Sequence, residues 1–205
     1  MASKSTGEEK QNKGGERGKK KARMEKPKEG GEEEMAPPQF LAQSDFNDLR
    51  LTVEGRQLWA PKIVLVGHSS VFRAMLDGRW KESRNSSIQL PGKRYSEVVE
   101  LLSLLVAPCP GVVSMKNVAS LLKLADEYQM DFIRRQCQFF LQSHLHDVEG
   151  GSGELLVLLV LASQFGLQEL MRDLWPECLN LPLNQVAAVE DRLKPSVREM
   201  LYKVH

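Results

Sequence analysis

The protein has 205 residues, with 28 Lys or Arg against 27 Asp or Glu, and a net charge of +1. Its length accommodates one compact domain with a small appendage. The first 34 residues hold ten basic and eight acidic side chains, so they carry +2 and leave about −1 for the rest of the chain, which argues against a nucleic-acid-binding domain.

The opening stretch is rich in Gly, Lys and Glu and contains almost nothing apolar that could be buried. Segments of this composition cannot offset the conformational entropy that folding removes. The sequence therefore predicts a disordered, charged tail over residues 1–37.

The first regular elements after this tail are predicted to form a β-hairpin. Apolar and polar residues alternate over Leu49–Val53, which is the pattern of a half-buried strand. Glu54 and Gly55 suit a tight turn, and Gln57–Ala60 suits the returning strand, which Pro61 ends.

A short helix and a third strand are predicted next. Ser69 suits the N-cap of a helix that carries Phe72 and Met75 on one face, and Gly78 suits its end. Ile88–Leu90 alternates with polar neighbours and stops at a Pro-Gly turn, which indicates a third strand.

The remainder of the chain is predicted to be helical, because its apolar residues recur at spacings of three and four. The predicted helices are one from Tyr95 to Leu105, one from Val118 to Ala125, one from Phe132 to Phe140 capped by Asp131, a pair across Leu155–Leu174, and a last one from about Ser196 after Pro195.

Two of these helical segments resemble each other. Leu121–Ala125 aligns with Leu158–Ala162 at an offset of 37, and the correspondence extends to Met130 and Leu167. The pattern has two interpretations, a repeated helix pair as in helical solenoids or merely shared helix-turn-helix packing, and few identities favour the second.

The cysteines and the apolar runs bear on the compartment. Cys109, Cys137 and Cys178 are an odd number and widely spaced, and the chain opens on polar residues, which favours a reducing cytoplasmic or nuclear environment. The longest apolar run, Leu155–Ala162, is eight residues long, whereas a membrane-spanning helix needs about 20. We therefore expect a soluble intracellular protein.

Four short motifs follow one another through the middle of the chain: Asp48-Leu49-x-Leu51-x-Val53-x-Gly55, Lys62-x-Val64-Leu65, Ser69-x-x-Phe72-x-x-Met75 and Leu121-Leu122-x-Leu124-Ala125-Asp126. Their order and spacing resemble the BTB/POZ domain, over about residues 42–144. The runs Leu90–Tyr95 and Leu124–Tyr128 look most like the BTB domains of the BTB-and-MATH group, although no MATH segment is recognised.

The resemblance implies an α+β fold, with a small β-sheet flanked by a cluster of α-helices. It places the BTB/POZ domain at residues 40–146 and a helical C-terminal extension at residues 152–205. Two departures are visible, because Pro61 stands where relatives usually have His and Leu105–Pro108 stands where they often have a Tyr.

Dimerisation is the first activity that the resemblance implies. Asp48 and Lys62 occupy the positions where similar domains place an acid and a base that line a pocket near the dimer interface, so a buried charged pair is expected. Phe40, Leu41 and Phe46 add apolar surface ahead of the first strand and are predicted to form the dimer interface.

Recruitment of a cullin-3 type ubiquitin-ligase scaffold is the second implied activity. Trp80-Lys81-Glu82 matches the apolar-x-Glu motif that ligase adaptors of this family carry after the Ser-x-x-Phe helix, and Phe72 and Tyr128 are expected to flank the same surface. The leading hypothesis is an adaptor that links this scaffold to a client protein. The alternative is a scaffold that dimerises with itself or with another BTB protein, for example in transcriptional repression, without recruiting a ligase.

The Cys and His residues allow a catalytic or metal-binding role as well as a structural one. Cys137, His144 and His146 lie close in sequence, but their spacing fits no standard zinc pattern. Cys137 falls on an apolar helical face, where a buried thiol is the usual explanation. We therefore expect no enzyme activity, no metal and no cofactor.

Overall fold

In the computed structural model of the protein, the described residues are 36–77, 86–106, 111–148 and 153–204. They contain a three-stranded sheet of strand order β2-β1-β3. Its strands are β1 (Leu49–Val53), β2 (Arg56–Ala60) and β3 (Ser87–Gln89). The first two are antiparallel, and β3 runs parallel to β1. The predicted charged tail lies outside the described residues.

The predicted hairpin is confirmed, with a returning strand that begins one residue early, at Arg56. Val53 faces Arg56 across the hairpin, so the turn has two residues. Glu54 and Gly55 both have positive φ, at 50° and 76°. This left-handed geometry matches the right-handed twist of the paired strands, and a glycine at the second position adopts it without strain.

Helices make up most of the remaining structure. Short 3-10 turns cover Pro38–Phe40 and Glu190–Arg192. The α-helices are α1 (Lys62–His68), α2 (Ser70–Met75), α3 (Tyr95–Leu105), α4 (Val118–Glu127), α5 (Asp131–Leu145), α6 (Gly153–Phe165), α7 (Gln168–Cys178), α8 (Leu183–Ala187) and α9 (Pro195–Val204).

Helix ends were predicted less accurately than helix positions. Asp131 was expected to cap α5, but it is the first residue of that helix, and Met130 occupies the cap position without a side-chain bond. Helix α2 ends at Met75, before Gly78, which lies outside the described residues. The last helix begins at Pro195 itself, whose fixed φ suits the first turn.

One apolar core joins the sheet and the helices on both sides of residue 148. Its buried members run from Ala36 to Leu201. Helix α6 is buried on nearly all sides and packs against α4, α5 and α7. A helix that is apolar all round has to be covered by neighbours in this way, so the extension shares the core of the preceding domain.

The pairs α4-α5 and α6-α7 are built alike. Gln129 and Gly166, the two residues at the equivalent bends, have positive φ of 51° and 61°. Just after each bend, the N–H of Met130 donates to the carbonyl of Ala125 at 2.8 Å and that of Leu167 to Ala162 at 2.9 Å. Both bends are therefore Schellman caps, so the two helix pairs share the same bend geometry, which fits both interpretations of the offset of 37.

Among the helices in the described part of the chain, none is long and apolar enough to span a bilayer.

Candidate interaction surfaces

Asp48 and Lys62 do not form the expected charged pair in the core. Asp48 is exposed, and its Oδ1 accepts a 2.8 Å hydrogen bond from the backbone N–H of Lys62. That N–H belongs to the first residue of α1, where helices lack an internal acceptor. Within the single chain, the prediction of a buried ion pair is wrong, because the carboxylate binds an amide at a helix end and stays in contact with water.

Glu54 plays the same part for another helix. Its Oε2 accepts a 2.9 Å hydrogen bond from the N–H of Tyr95, the first residue of α3. The guanidinium of Arg56 lies 3.5 Å from the centre of the Tyr95 ring, in a cation–π contact. The hairpin turn thus fixes the start of α3, a role that its sequence position does not reveal.

Asp48→Ala and Glu54→Ala should therefore lower stability by similar, modest amounts. Each change removes one carboxylate at a helix N-terminus, which costs about 0.5–2 kcal/mol. Denaturant unfolding of both variants checks this. A loss of about 3–5 kcal/mol at Asp48 alone would instead point to a buried ion pair.

The apolar residues before β1 divide into buried and exposed ones. Phe40 is fully buried, because its 3-10 turn packs on β2, so its prediction as a dimer contact is wrong for this chain. Leu41 is 48% and Phe46 84% exposed. Ile63, on α1, is 77% exposed and was not among the predicted interface residues. Its position two residues before buried Leu65 places it on the opposite side of the helix, which was the available signal.

Ser69 joins α2 to the end of α4. Its hydroxyl accepts a 3.0 Å hydrogen bond from the N–H of Phe72 and donates a 2.5 Å bond to the carbonyl of Tyr128. The first bond confirms the predicted N-cap. Ser69 is 1% exposed, so both bonds are shielded from water.

Phe72 and Tyr128 are buried and do not reach the surface on which they were predicted. Their rings stack with centres 4.8 Å apart, and both side chains are buried. Burial and, secondarily, the charge of Glu127 raise the pKa of Tyr128 to about 12. The prediction that these two rings flank an exposed cullin contact is wrong, because each ring is covered by the other and by the core.

A shallow groove of about 430 Å³ lies over the outer side of α2, lined by Ser70, Val71, Ala74, Met75 and Gln129. We refer to it as the α2 groove. The Ser70 hydroxyl donates to the amide oxygen of Gln129 at its rim. Trp80 and Glu82, which follow α2 in sequence, lie outside the described residues.

Two of the three cysteines, Cys137 and Cys178, lie in the described part of the chain, and their thiols are structural. Cys137 and Cys178 are fully buried. Burial raises the pKa of Cys137 to about 12, and burial with the charge of Glu177 raises that of Cys178 to about 11. Both thiols are therefore protonated at neutral pH and unsuited to nucleophilic attack. In the described ranges, no group of three or more His, Cys, Asp or Glu side chains is placed to hold a metal.

The hairpin, the added parallel strand and the helices that follow define a small α+β domain. The sequence profile of the BTB/POZ domain matches residues 38–145. The chain belongs to the BTB/POZ family.

Several curated relatives are similar to this chain over about half of its length. Armadillo BTB Arabidopsis protein 1 of Arabidopsis thaliana is 32% identical over 100 residues, which are 49% of this chain and 13% of that protein. BTB and MATH domain-containing protein 38 of Caenorhabditis elegans is 29% identical over 99 residues, 48% of this chain and 25% of its own. Kelch-like protein 21 of Danio rerio is 35% identical over 110 residues, which are 52% of this chain and 17% of that protein. The chain therefore spans a quarter or less of these relatives.

Proposed function

We propose that this protein is a non-enzymatic adaptor that self-associates through its BTB domain and links a cullin-3 type ubiquitin-ligase scaffold to a client. Membership of the BTB/POZ family is the observation that carries the proposal. Apolar residues that are at least partly exposed at two sites support it. One site is proposed to bind a second copy of the chain, and the other is proposed to bind the ligase scaffold.

The surface proposed for self-association contains Leu41, Phe46 and Ile63. Phe46 and Ile63 flank the hydrogen bond between Asp48 and Lys62, which ties the segment before β1 to the start of α1. Phe46 is 84% and Ile63 77% exposed, and large apolar side chains exposed on two segments that one hydrogen bond joins are typical of a surface that meets a partner. A two-fold arrangement would bury them against the same residues of a second copy, and Asp48 and Lys62 would then line the dimer interface.

Phe46→Asp combined with Ile63→Asp should convert a dimer into a monomer. Each charge would be buried without a partner if the two copies met, which opposes association strongly, while neither site contributes to the core of the single chain. Light scattering at micromolar concentration measures the mass. Leu183→Asp, at an apolar site 47% exposed on α8, is the control and should remain dimeric. A wild-type protein that is monomeric over this range would contradict the proposal.

The surface proposed for the ligase scaffold combines the α2 groove with Trp80 and Glu82. The groove offers the side chains of Val71 and Met75, which are partly exposed on α2, the helix that precedes the Trp-x-Glu motif in sequence. An apolar residue surrounded by polar ones is the usual arrangement of a binding hot spot. Trp80 would fill an apolar pocket of the scaffold, and Glu82 would accept hydrogen bonds at the rim.

Trp80→Ala should weaken binding of a cullin-3 type scaffold by at least about 2 kcal/mol, a factor of about thirty, because truncating a buried aromatic hot spot removes most of its contact. The melting temperature should stay nearly unchanged. Calorimetric titration of the scaffold's amino-terminal domain into the full chain measures both affinities. A variant that binds as tightly as the wild type would exclude Trp80 from the interface.

A dimerisation scaffold without ligase recruitment is the second candidate. It is favoured by the burial of Phe72 and Tyr128, because two of the four residues predicted at the cullin surface do not reach it. The same titration separates the candidates, since a wild-type protein that dimerises but has no measurable affinity for the scaffold would be a dimerisation module only.

A further inference from the structure

The three-stranded sheet has one side in the core and one side outside it. Leu51, Leu58 and Ile88 face one another on the inner side and are buried. Side chains alternate along a strand, so the residues between these lie on the opposite side in two rows. The rows are Trp59, Arg50 and Ser87, and then Gln57, Thr52 and Gln89. Both glutamines are exposed and the other four residues are half-buried. We call these residues the outer sheet face.

The side chain of Arg50 reaches from β1 to the edge strand β3. Its Nε donates a 3.2 Å hydrogen bond to the hydroxyl of Ser87, so the guanidinium lies beside that residue. In the described part of the chain, no carboxylate pairs with this guanidinium, and its two terminal nitrogens have no acceptor. A planar guanidinium with free donors matches the geometry of a carboxylate.

Half of the backbone groups of β3 point away from the sheet, because β3 is an edge strand. The N–H of Leu90, just past the strand, donates to the carbonyl of Thr52 at 2.9 Å. Alternate residues of a parallel strand bond to the same neighbour, so the N–H and C=O groups of Ser87 and Gln89 face outward. Among the described residues these groups have no hydrogen-bond partner. An open edge of this kind is a template for an added strand.

A groove of about 570 Å³ continues the outer sheet face past the end of β3. Thr52 and Gln89 line it from the sheet, and Arg94 lines it from the loop that leads to α3. Arg94 is exposed and has no acidic partner within the described ranges, whereas the neighbouring Lys93 is paired with Glu127 at 2.8 Å. The groove therefore adds a second unpaired positive charge beyond the end of the strand.

The charges select the kind of partner. The outer sheet face has no Asp or Glu, and Glu54, which lines the groove, is bound to the N–H of Tyr95. A second copy of this edge would bring the same arginines to the face, and like charges across paired strands are destabilising. A nucleic acid strand would supply negative charge, but its sugar-phosphate backbone has no donors for the outward carbonyls of β3. An extended acidic peptide supplies both the charge and the donors.

We propose that an extended segment of a partner protein, with acidic residues at alternate positions, binds the open edge of β3 as a fourth strand. Its backbone would exchange hydrogen bonds with Ser87 and Gln89. One carboxylate would pair with Arg50, and a second, further along the segment, would pair with Arg94. The inference does not rest on the adaptor function, since none of these residues belongs to the surfaces proposed for dimerisation or for the ligase scaffold.

The test is the fluorescence anisotropy of a labelled peptide, Thr-Glu-Thr-Glu-Thr-Glu-Thr, titrated with the full chain. Arg50→Glu should weaken binding by at least about tenfold, because hydrogen bonds between charged groups are the strong ones. Arg94→Glu, at an exposed site, should weaken it by at least about threefold, since a more exposed ion pair contributes less. Binding of the wild type should also weaken as salt is added.

Gln89→Pro tests the backbone pairing separately. Proline removes one outward N–H of β3 and leaves the ladder to β1 intact, which edge strands tolerate, so binding should fall by at least about tenfold as the added strand loses its place. Lys123→Glu, an exposed charge reversal on α4, is the matched control and should bind like the wild type.

An exchange of charge gives a readout that a folding defect does not imitate. Arg50→Glu should bind the peptide Thr-Lys-Thr-Lys-Thr-Lys-Thr more tightly than the wild type does, and thermal unfolding checks that each variant is folded. A wild-type protein that does not distinguish the two peptides would overturn the inference, as would Arg50→Glu and Gln89→Pro variants that bind the acidic peptide at full strength. A single strand of polythymidylate that binds more tightly than the acidic peptide, and equally well to Gln89→Pro, would assign the face to phosphates and also overturn it.

Discussion

Removal of residues 149–205 should lower the stability of the chain by about 3 kcal/mol or more. Helix α6 packs against α4 and α5, and α7 packs along α5, so the deletion strips two helices of the neighbours that bury them. Uncovering one Leu-sized side chain costs about 1.5–3 kcal/mol, and the total stability of a domain is only about 5–15 kcal/mol. The exposed face should also cause association that depends on protein concentration.

Thermal unfolding measures this effect. A loss of this size should lower the melting temperature by about 10 °C. Removal of residues 1–33 is the matched control, because residues 34–205 form their own contact unit, and it should change the melting temperature little. If the chain without residues 149–205 had the same melting temperature as the full chain, the extension would be a separate appendage. The inference of a shared core would then be wrong.

Ser69→Ala should cost about 3 kcal/mol, the largest effect expected of a conservative single substitution here. The change removes the N-cap of α2, which contributes about 0.5–2 kcal/mol. It also leaves the carbonyl of Tyr128 without its side-chain donor in a buried site, which costs about 1–3 kcal/mol. The hydroxyl joins two segments that are 59 residues apart in sequence. Both lost hydrogen bonds should therefore lower the free energy of unfolding of the whole domain.

Denaturant unfolding of Ser69→Ala and Ser70→Ala gives a matched comparison. Ser70 also donates a side-chain hydrogen bond, to Gln129, but that bond is exposed, and we expect its loss to cost less than about 0.5 kcal/mol. Equal losses at the two positions would contradict the bridging role of Ser69.

Most of the secondary structure could be predicted from local patterns in the sequence. The alternation over Leu49–Val53 predicted β1, because a strand with one covered face buries every second residue. The cap at Ser69 and the offset of 37 were also visible, since capping and helix-pair packing depend on residues a few positions apart. The motifs that indicated the BTB/POZ family combine such signals in a fixed order.

Tertiary structure decided which of these side chains remain accessible for function. Phe40 and Phe46 are the same residue type six positions apart, yet one is fully buried and the other 84% exposed, because only the first lies in the turn that packs on β2. The sequence placed Glu54 in a turn and gave it no partner. Only the fold brings its carboxylate to the N–H of Tyr95, 41 positions later, at the start of α3. Burial and long-range partners depend on contacts between elements distant in sequence, which periodicity within one element does not encode.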